Sequence, residues 1–262
     1  MTTRDRAPLG APCWVDLWTS DVPGSVKFYS ALFGWAAQDP DPEHGGYFMF
    51  TRNGVPIAGA MGEMGDEKPS NTWKVYLASA DAEKTVAAAE AGGATISLPA
   101  MTVGDAGTQA VLDDPTGATI GSWQPEEFAG FTVLEEHGAP SWFELLTRDY
   151  AKAVEFYRSV FGWDTEVVSD TDEFRYSVML DPSGGGMLAG IMDASSFLPK
   201  GEPASWSVYW DVNDVDESVA QVKSLGGGVI TVARDTPYGR LASLTDPSGA
   251  PFNLRAVIGD GV

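Results

Sequence analysis

Two carboxylates follow a tryptophan at the same spacing: Trp14-Val15-Asp16 and Trp142-Phe143-Glu144. Residues 14–19 and 142–147 alternate and are rich in β formers, so each segment reads as a strand. Residues two apart on a strand share a face, which sets each carboxylate beside an indole. An isolated charge in apolar surroundings is unfavourable. Desolvation therefore raises the pKa of such a carboxyl and suits it to proton transfer, so Glu144 and Asp16 are candidate general acids or bases. In the blander reading each caps backbone groups or pairs with Lys74 or Arg255. Tyr76 and Tyr209, in a later strand of each region, could donate a hydrogen bond to a ligand carbonyl. Cys13 has no adjacent base and reads as a structural thiol. Gly184-Gly185-Gly186 follows no strand–helix pair carrying Lys-Ser/Thr, so it reads as a hairpin turn and not a phosphate loop. The two histidines, His44 and His137, fall in loop-like stretches.

The carboxylates recur because the chain repeats itself. Residues 12–35 over residues 140–163 give eleven identities in 24 positions. Asn71–Tyr76 echoes Ala204–Tyr209, and Asp114-Pro115-Thr116-Gly117-Ala118 echoes Asp246-Pro247-Ser248-Gly249-Ala250. We place the halves at residues 1–131 and 132–262. In each, a strand is followed by an Asp that can cap a helix (Asp21 in the first), an apolar stripe at helical spacing, and a closing Gly (Gly34, Gly162). Asn53-Gly54 marks a tight hairpin. A further strand, an Ala-rich helix over residues 82–91 and three short strands complete the first half, and the second half follows suit. The order is βαβββ four times, an α+β pattern of mixed sheets.

Composition bounds the partners. The 262 residues are 44% hydrophobic and carry a formal charge of −21. That is enough apolar residue for real cores, and it argues against disorder. A polyanion repels a phosphate backbone and an anionic membrane surface, so neither nucleic acid nor membrane is an expected partner. No apolar run is long enough for a bilayer span, no secretion signal is visible, and one cysteine cannot form an internal disulfide. The expectation is a cytoplasmic protein, monomer or homodimer.

The motif strand–Asp–x–x–x–(S/A)–V–x–F–Y–x–x–x–F–G–W, ending at Trp35 and Trp163, with the D-P-x-G turns at Asp114 and Asp246, resembles the vicinal oxygen chelate superfamily, the glyoxalase/bleomycin-resistance/dioxygenase fold. The resemblance spans nearly the whole chain. It implies two tandem cup-shaped domains of mixed β-sheet, with helices packed outside and a small molecule held in the cup. It also implies metal ligands at a first-strand position, on the fifth strand and on the eighth. Here those positions are Trp14, residues 72–74 and Gly121 in one half, and Trp142, residues 205–207 and Asn253 in the other. None is a usual ligand, so we expect neither metal nor other cofactor.

If the first-strand position faces the cup, Trp14, Asp16 and Trp18 line one cup, and Trp142, Glu144 and Leu146 the other. The eighth strand adds Trp123, or Asn253 with Arg255. On the fifth strand either Trp206 with Val208 or Ser207 with Tyr209 faces in. The aromatic walls suit a planar or apolar ligand with polar groups. The expected function is a metal-independent tailoring enzyme, using acid–base chemistry for cyclisation, dehydration or isomerisation of an aromatic or polyketide-like metabolite. Glu144, Asp16, Tyr209 and Tyr76 are its expected catalytic groups. Trp14, Trp18, Trp142, Trp123, Trp206, Asn253 and Arg255 are its expected substrate contacts. The alternative is a non-catalytic, antibiotic- or metabolite-sequestering resistance protein. The unmatched pairs Gly121/Asn253 and Trp123/Arg255 predict unequal cups, the second more polar.

Overall fold

Capping and turn chemistry set the elements of the computed structural model, which describes residues 2–65 and 67–257. Asp21 accepts the amide hydrogen of Gly24 and starts helix α1 (Val22–Phe33), and Gly34 ends it in the left-handed conformation that glycine adopts without strain. Strand β1 (Thr2–Thr3) pairs with β10 (Val133–Leu134). The rest of the first half comprises β2 (Pro12–Trp18), β3 (Ala36–Ala37), β4 (Phe48–Arg52), β5 (Val55–Met61), β6 (Thr72–Ala78), helix α2 (Ala82–Ala91), β7 (Thr95–Val103), β8 (Gly107–Asp113) and β9 (Thr119–Pro125). The second half comprises β11 (Pro140–Thr147), α3 (Tyr150–Phe161), β12 (Thr165–Asp170), β13 (Arg175–Leu180), β14 (Met187–Asp193), β15 (Ser205–Asp211), α4 (Val215–Ser224), β16 (Gly228–Thr236), β17 (Gly239–Thr245) and β18 (Pro251–Ala256).

Each half forms one open eight-stranded mixed sheet, ordered β3-β4-β5-β2-β6-β9-β8-β7 and β12-β13-β14-β11-β15-β18-β17-β16. The βαβββ units are therefore present, and the class is α+β as the pattern predicts. The triglycine stretch is the turn between β13 and β14. Strand β7 runs further than its alternation suggests, through Pro99 to Val103. It is an edge strand with register shifts around the proline, where a missing N–H disrupts no ladder. No helix among the described residues is long and apolar enough to cross a membrane.

The helices pack on the convex faces, outside the cups, and there the halves share one core. Tyr29 stacks on Trp35 and meets Phe252 of the other half edge-on. Trp210 lies 4.9 Å from Trp35 and 5.4 Å from Trp73. The repeated motifs also bond across the halves. Tyr29, on the first FYxxxFGW helix, donates to Asp246 of the second D-P-x-G turn, and Tyr157 donates to Asp114 of the first. Trp35 and Trp163 donate their indole hydrogens to the carbonyls of Gly138 and Gly10. The shared motifs therefore serve the seam as well as their own half.

Candidate functional site

Alternation along β2 sends Cys13, Val15 and Leu17 into the core, and Trp14, Asp16 and Trp18 to the concave face. Cross-strand register extends each set. Trp14 stands opposite Tyr76 and Asp16 opposite Lys74, while Trp142 stands opposite Tyr209 and Glu144 opposite Ser207. The second pairing resolves the fifth strand, since Ser207 and Tyr209 share the face of Glu144. Trp206 is a correction to the sequence reading. It pairs with Leu145 on the opposite face, packs on Tyr157 and donates to the Tyr157 hydroxyl, so it lines the core and not the cup.

Each cup holds the same four-residue network. In the second, Tyr209 donates to Glu144 Oε2 at 2.9 Å. Trp142 donates its indole hydrogen to the Tyr176 hydroxyl at 2.8 Å, and that hydroxyl turns to the same carboxylate. In the first, the Trp14 indole is shared between Asp16 and the Tyr47 hydroxyl, each at 2.9 Å, and Tyr47 donates to Asp16 at 2.8 Å. Tyr76 flanks that carboxylate as Tyr209 flanks Glu144. Sequence reasoning missed Tyr47 and Tyr176. The available signal was their separation, within one residue of the 128-residue repeat offset.

A glycine on the neighbouring strand makes room for each network. A Cβ on Gly59 would lie 2.0 Å from the Tyr47 hydroxyl and 2.2 Å from Asp16, and one on Gly190 would lie 1.9 Å from the Tyr176 hydroxyl. Gly190→Ala is therefore expected to displace that phenol and destabilise the protein by about 1–3 kcal/mol. The check is a fall in the urea midpoint at unchanged m-value; an unchanged midpoint would show the site to be loosely packed.

Burial raises the pKa of both carboxyls above the usual range, and the phenol hydrogen bonds oppose it. Asp16 has Lys74 as a partial counter-charge, itself pushed down by burial. Across from Glu144 that place belongs to Ser207, and only Tyr209 and Tyr176 support its ionised form. Burial, then the adjacent carboxylate, pushes all four phenols up, so they stay protonated donors. Of the two carboxyls, Glu144 is therefore the one raised by burial with no counter-charge among the described residues to oppose the shift.

The remaining candidates divide between the cups. Trp18 sits at the far end of β2 and donates to the Gly62 carbonyl. Trp123 lies in the first cup, its indole bonded to the Phe128 carbonyl, and the Phe128 ring stands edge-on to Trp14 at 4.8 Å. Asn253 and Arg255 face the second cup. The Asn253 amide reaches Val208 O at 3.4 Å, and Arg255 reaches the carbonyls of Tyr238 and Ser141. Trp14 is buried and Trp142 half-buried, so the cups are unequal. Cys13 is buried, its thiol pushed up to about 12 by desolvation, which suits a structural role.

The positions that the resemblance assigns to metal ligands do not fit a metal. The space over Gly121 is filled by the Tyr76 ring, which a Cβ there would meet at 2.1 Å. The Trp14 and Trp142 indoles are donors engaged with hydroxyls, and each network offers a single carboxylate already held by phenols. Among the described residues no three or more His, Cys, Asp or Glu side chains form a cluster. This donor set departs from the usual divalent sites.

Comparison with known proteins identifies the family and the fold. The family described as the Glyoxalase/Bleomycin resistance protein/Dioxygenase superfamily matches residues 13–121 and 139–254. The chain is 37% identical over 260 residues to CFP32 of Mycobacterium tuberculosis, a protein named provisionally as a glyoxylase, and the match covers 97% of each chain. It is 34% identical to the anthracycline biosynthesis protein DauV of Streptomyces sp. strain C5, over 95% of this chain and 94% of that one. Among solved structures, the Mn(II)-bound glyoxalase from Novosphingobium aromaticivorans superposes with a TM-score of 0.65 at 15% identity, covering 95% of this chain and 82% of that one.

Proposed function

Since the chain belongs to the glyoxalase/bleomycin resistance protein/dioxygenase superfamily, whose fold does not fix its chemistry, we propose that the protein is a metal-independent tailoring enzyme acting on an aromatic, polyketide-like metabolite in its second cup. The observation that carries this is Glu144, buried between Tyr176 and Tyr209 with no cation opposite it. A glutamate so placed takes a proton from carbon beside a substrate carbonyl and returns it elsewhere, to a new carbon in isomerisation or to a departing hydroxyl in dehydration. The phenols hold its ionised form while the proton is on the substrate. Trp142 offers an aromatic face to a ring. The anthracycline biosynthesis name of DauV supports an aromatic polyketide as the substrate class.

The second reading is a sequestering protein. It is favoured by the net charge of −21, which attracts a cationic drug, and by networks whose hydrogen bonds close without a ligand. One experiment separates the two. Chelator-treated protein is incubated with anthracycline-type polyketides and their precursors, then examined by native mass spectrometry for retention and by chromatography for conversion. Consumption of a compound by the parent protein but not by Glu144→Gln is the expected result. A compound retained with every other unchanged would overturn catalysis in favour of sequestration.

A further inference from the structure

The first cup already contains an aromatic ring, supplied by the chain itself. After β9 the backbone is pinned to the β7–β8 hairpin: Glu126 and Phe128 donate to the Ala106 carbonyl, and Glu127 to that of Asp105. This path lays the Phe128 ring 4.8 Å from Trp14 and 6.2 Å from Trp123. The Trp123 indole donates to the Phe128 carbonyl oxygen at 2.8 Å. One ring and one carbonyl oxygen, joined through two carbons, are thus held by one tryptophan face and one N–H donor.

The second cup repeats the face and changes the donor. Trp142 stands where Trp14 stands, and Arg255 replaces Trp123. The halves agree in register here, because Trp123 follows Gly121, the partner of Tyr76, as Arg255 follows Asn253, the partner of Tyr209. At the offset that matches Trp123 to Arg255, the position corresponding to Phe128 is Asp260 and not an aromatic residue. The half-buried Arg255 guanidinium lies beside Asp211, its cross-strand partner, and reaches Tyr238 O at 3.2 Å and Ser141 O at 3.4 Å, which leaves several of its five N–H donors for a ligand.

We propose that Phe128 is the built-in occupant of the first cup, that the chain therefore takes one ligand, in the second cup, and that Arg255 selects there an aromatic ring bearing a neutral carbonyl oxygen, the counterpart of Phe128 and its own carbonyl. This rests on the reading above that the second cup receives an aromatic ligand. The net charge of −21 disfavours a carboxylate in that role.

The test uses two probes on the full chain. In 4-phenylbutan-2-one the ring, two carbons and carbonyl of Phe128 are reproduced, whereas butylbenzene lacks the oxygen. Affinity and stoichiometry are read by titration in NMR. Comparing variants within each probe cancels the difference in their hydrophobicity. One site per parent chain is expected. Arg255→Met should weaken the ketone at least about tenfold, the loss of a hydrogen bond from a charged donor, and leave butylbenzene unchanged. Arg255→Lys should recover part of the ketone affinity. Phe128→Ala should add a second site for both probes, unaffected by Arg255→Met, because an emptied aromatic-lined cavity takes up small apolar molecules. Equal responses of the two probes to Arg255→Met would overturn the role of Arg255 while leaving an aromatic-binding cup in place. Two sites in the parent, or one in Phe128→Ala, would overturn the role of Phe128. Binding of neither probe to the parent would overturn the inference together with the reading beneath it.

Discussion

Glu144→Gln is expected to lower turnover by about 10²–10⁴-fold, the usual contribution of a positioned acid or base, with ligand affinity changed only a few-fold. Glutamine keeps the size of the side chain and an acceptor for Tyr209, but cannot carry the proton. A loss confined to KM would place Glu144 in binding alone. The same variant has a pH signature that needs no substrate. Burial raises the Glu144 pKa above its ordinary 4.5. The folded state then holds the proton more tightly than the unfolded one. Stability from this group is complete below the unfolded pKa and is lost as pH rises through the folded pKa. Glutamine does not ionise, so Glu144→Gln should be more stable than the parent at pH 8, and the gap should close as the pH falls towards 4. Urea unfolding of both proteins across that range measures it, and a gap of constant size would show that Glu144 does not titrate in the fold.

Asp246→Ala is expected to reduce stability by about 3–5 kcal/mol, from a buried amide and a buried phenol left without an acceptor at about 1–3 kcal/mol each and a half-buried amide that water partly serves. The carboxylate accepts from the Ser248 and Ala250 amides at 2.9 Å and from Tyr29 at 3.2 Å. Two of these bonds shape the D-P-x-G turn, and the third ties it to the helix of the other half. Tyr29→Phe removes only the third and should reduce stability by about 1 kcal/mol. The double variant should therefore fall short of the sum of the singles, because the turn is broken once Asp246 is gone. Unfolding should stay a single transition by far- and near-ultraviolet circular dichroism, since the halves share one aromatic core. Two separated transitions would show that the seam does not couple them.

The duplication, the α+β class and most strands and helices were legible in the sequence. They rest on local signals: alternation, a helical stripe, an N-cap aspartate and a closing glycine, all printed twice. Asp16 and Glu144 beside Trp14 and Trp142 were legible for the same reason, since a period of two is enough to place residues on one face. The phenols Tyr47 and Tyr176 were not, because they arrive from strand partners chosen by register across the sheet. Only pairing decided that Tyr209 and not Trp206 joins Glu144: Trp206 falls opposite Leu145, where the other face is already core. Nor could the string assign the conspicuous tyrosines of the FY motif and the aspartates of the turns to each other across the halves, at 217 residues' separation for Tyr29 and Asp246. The filling of the first cup by Phe128 is likewise tertiary. A phenylalanine between two halves reads as linker until the hairpin at Ala106 turns it inward. Local periodicity therefore determined the elements and the carboxylates, while long-range pairing decided which hydroxyls surround those carboxylates and where the Phe128 ring lies.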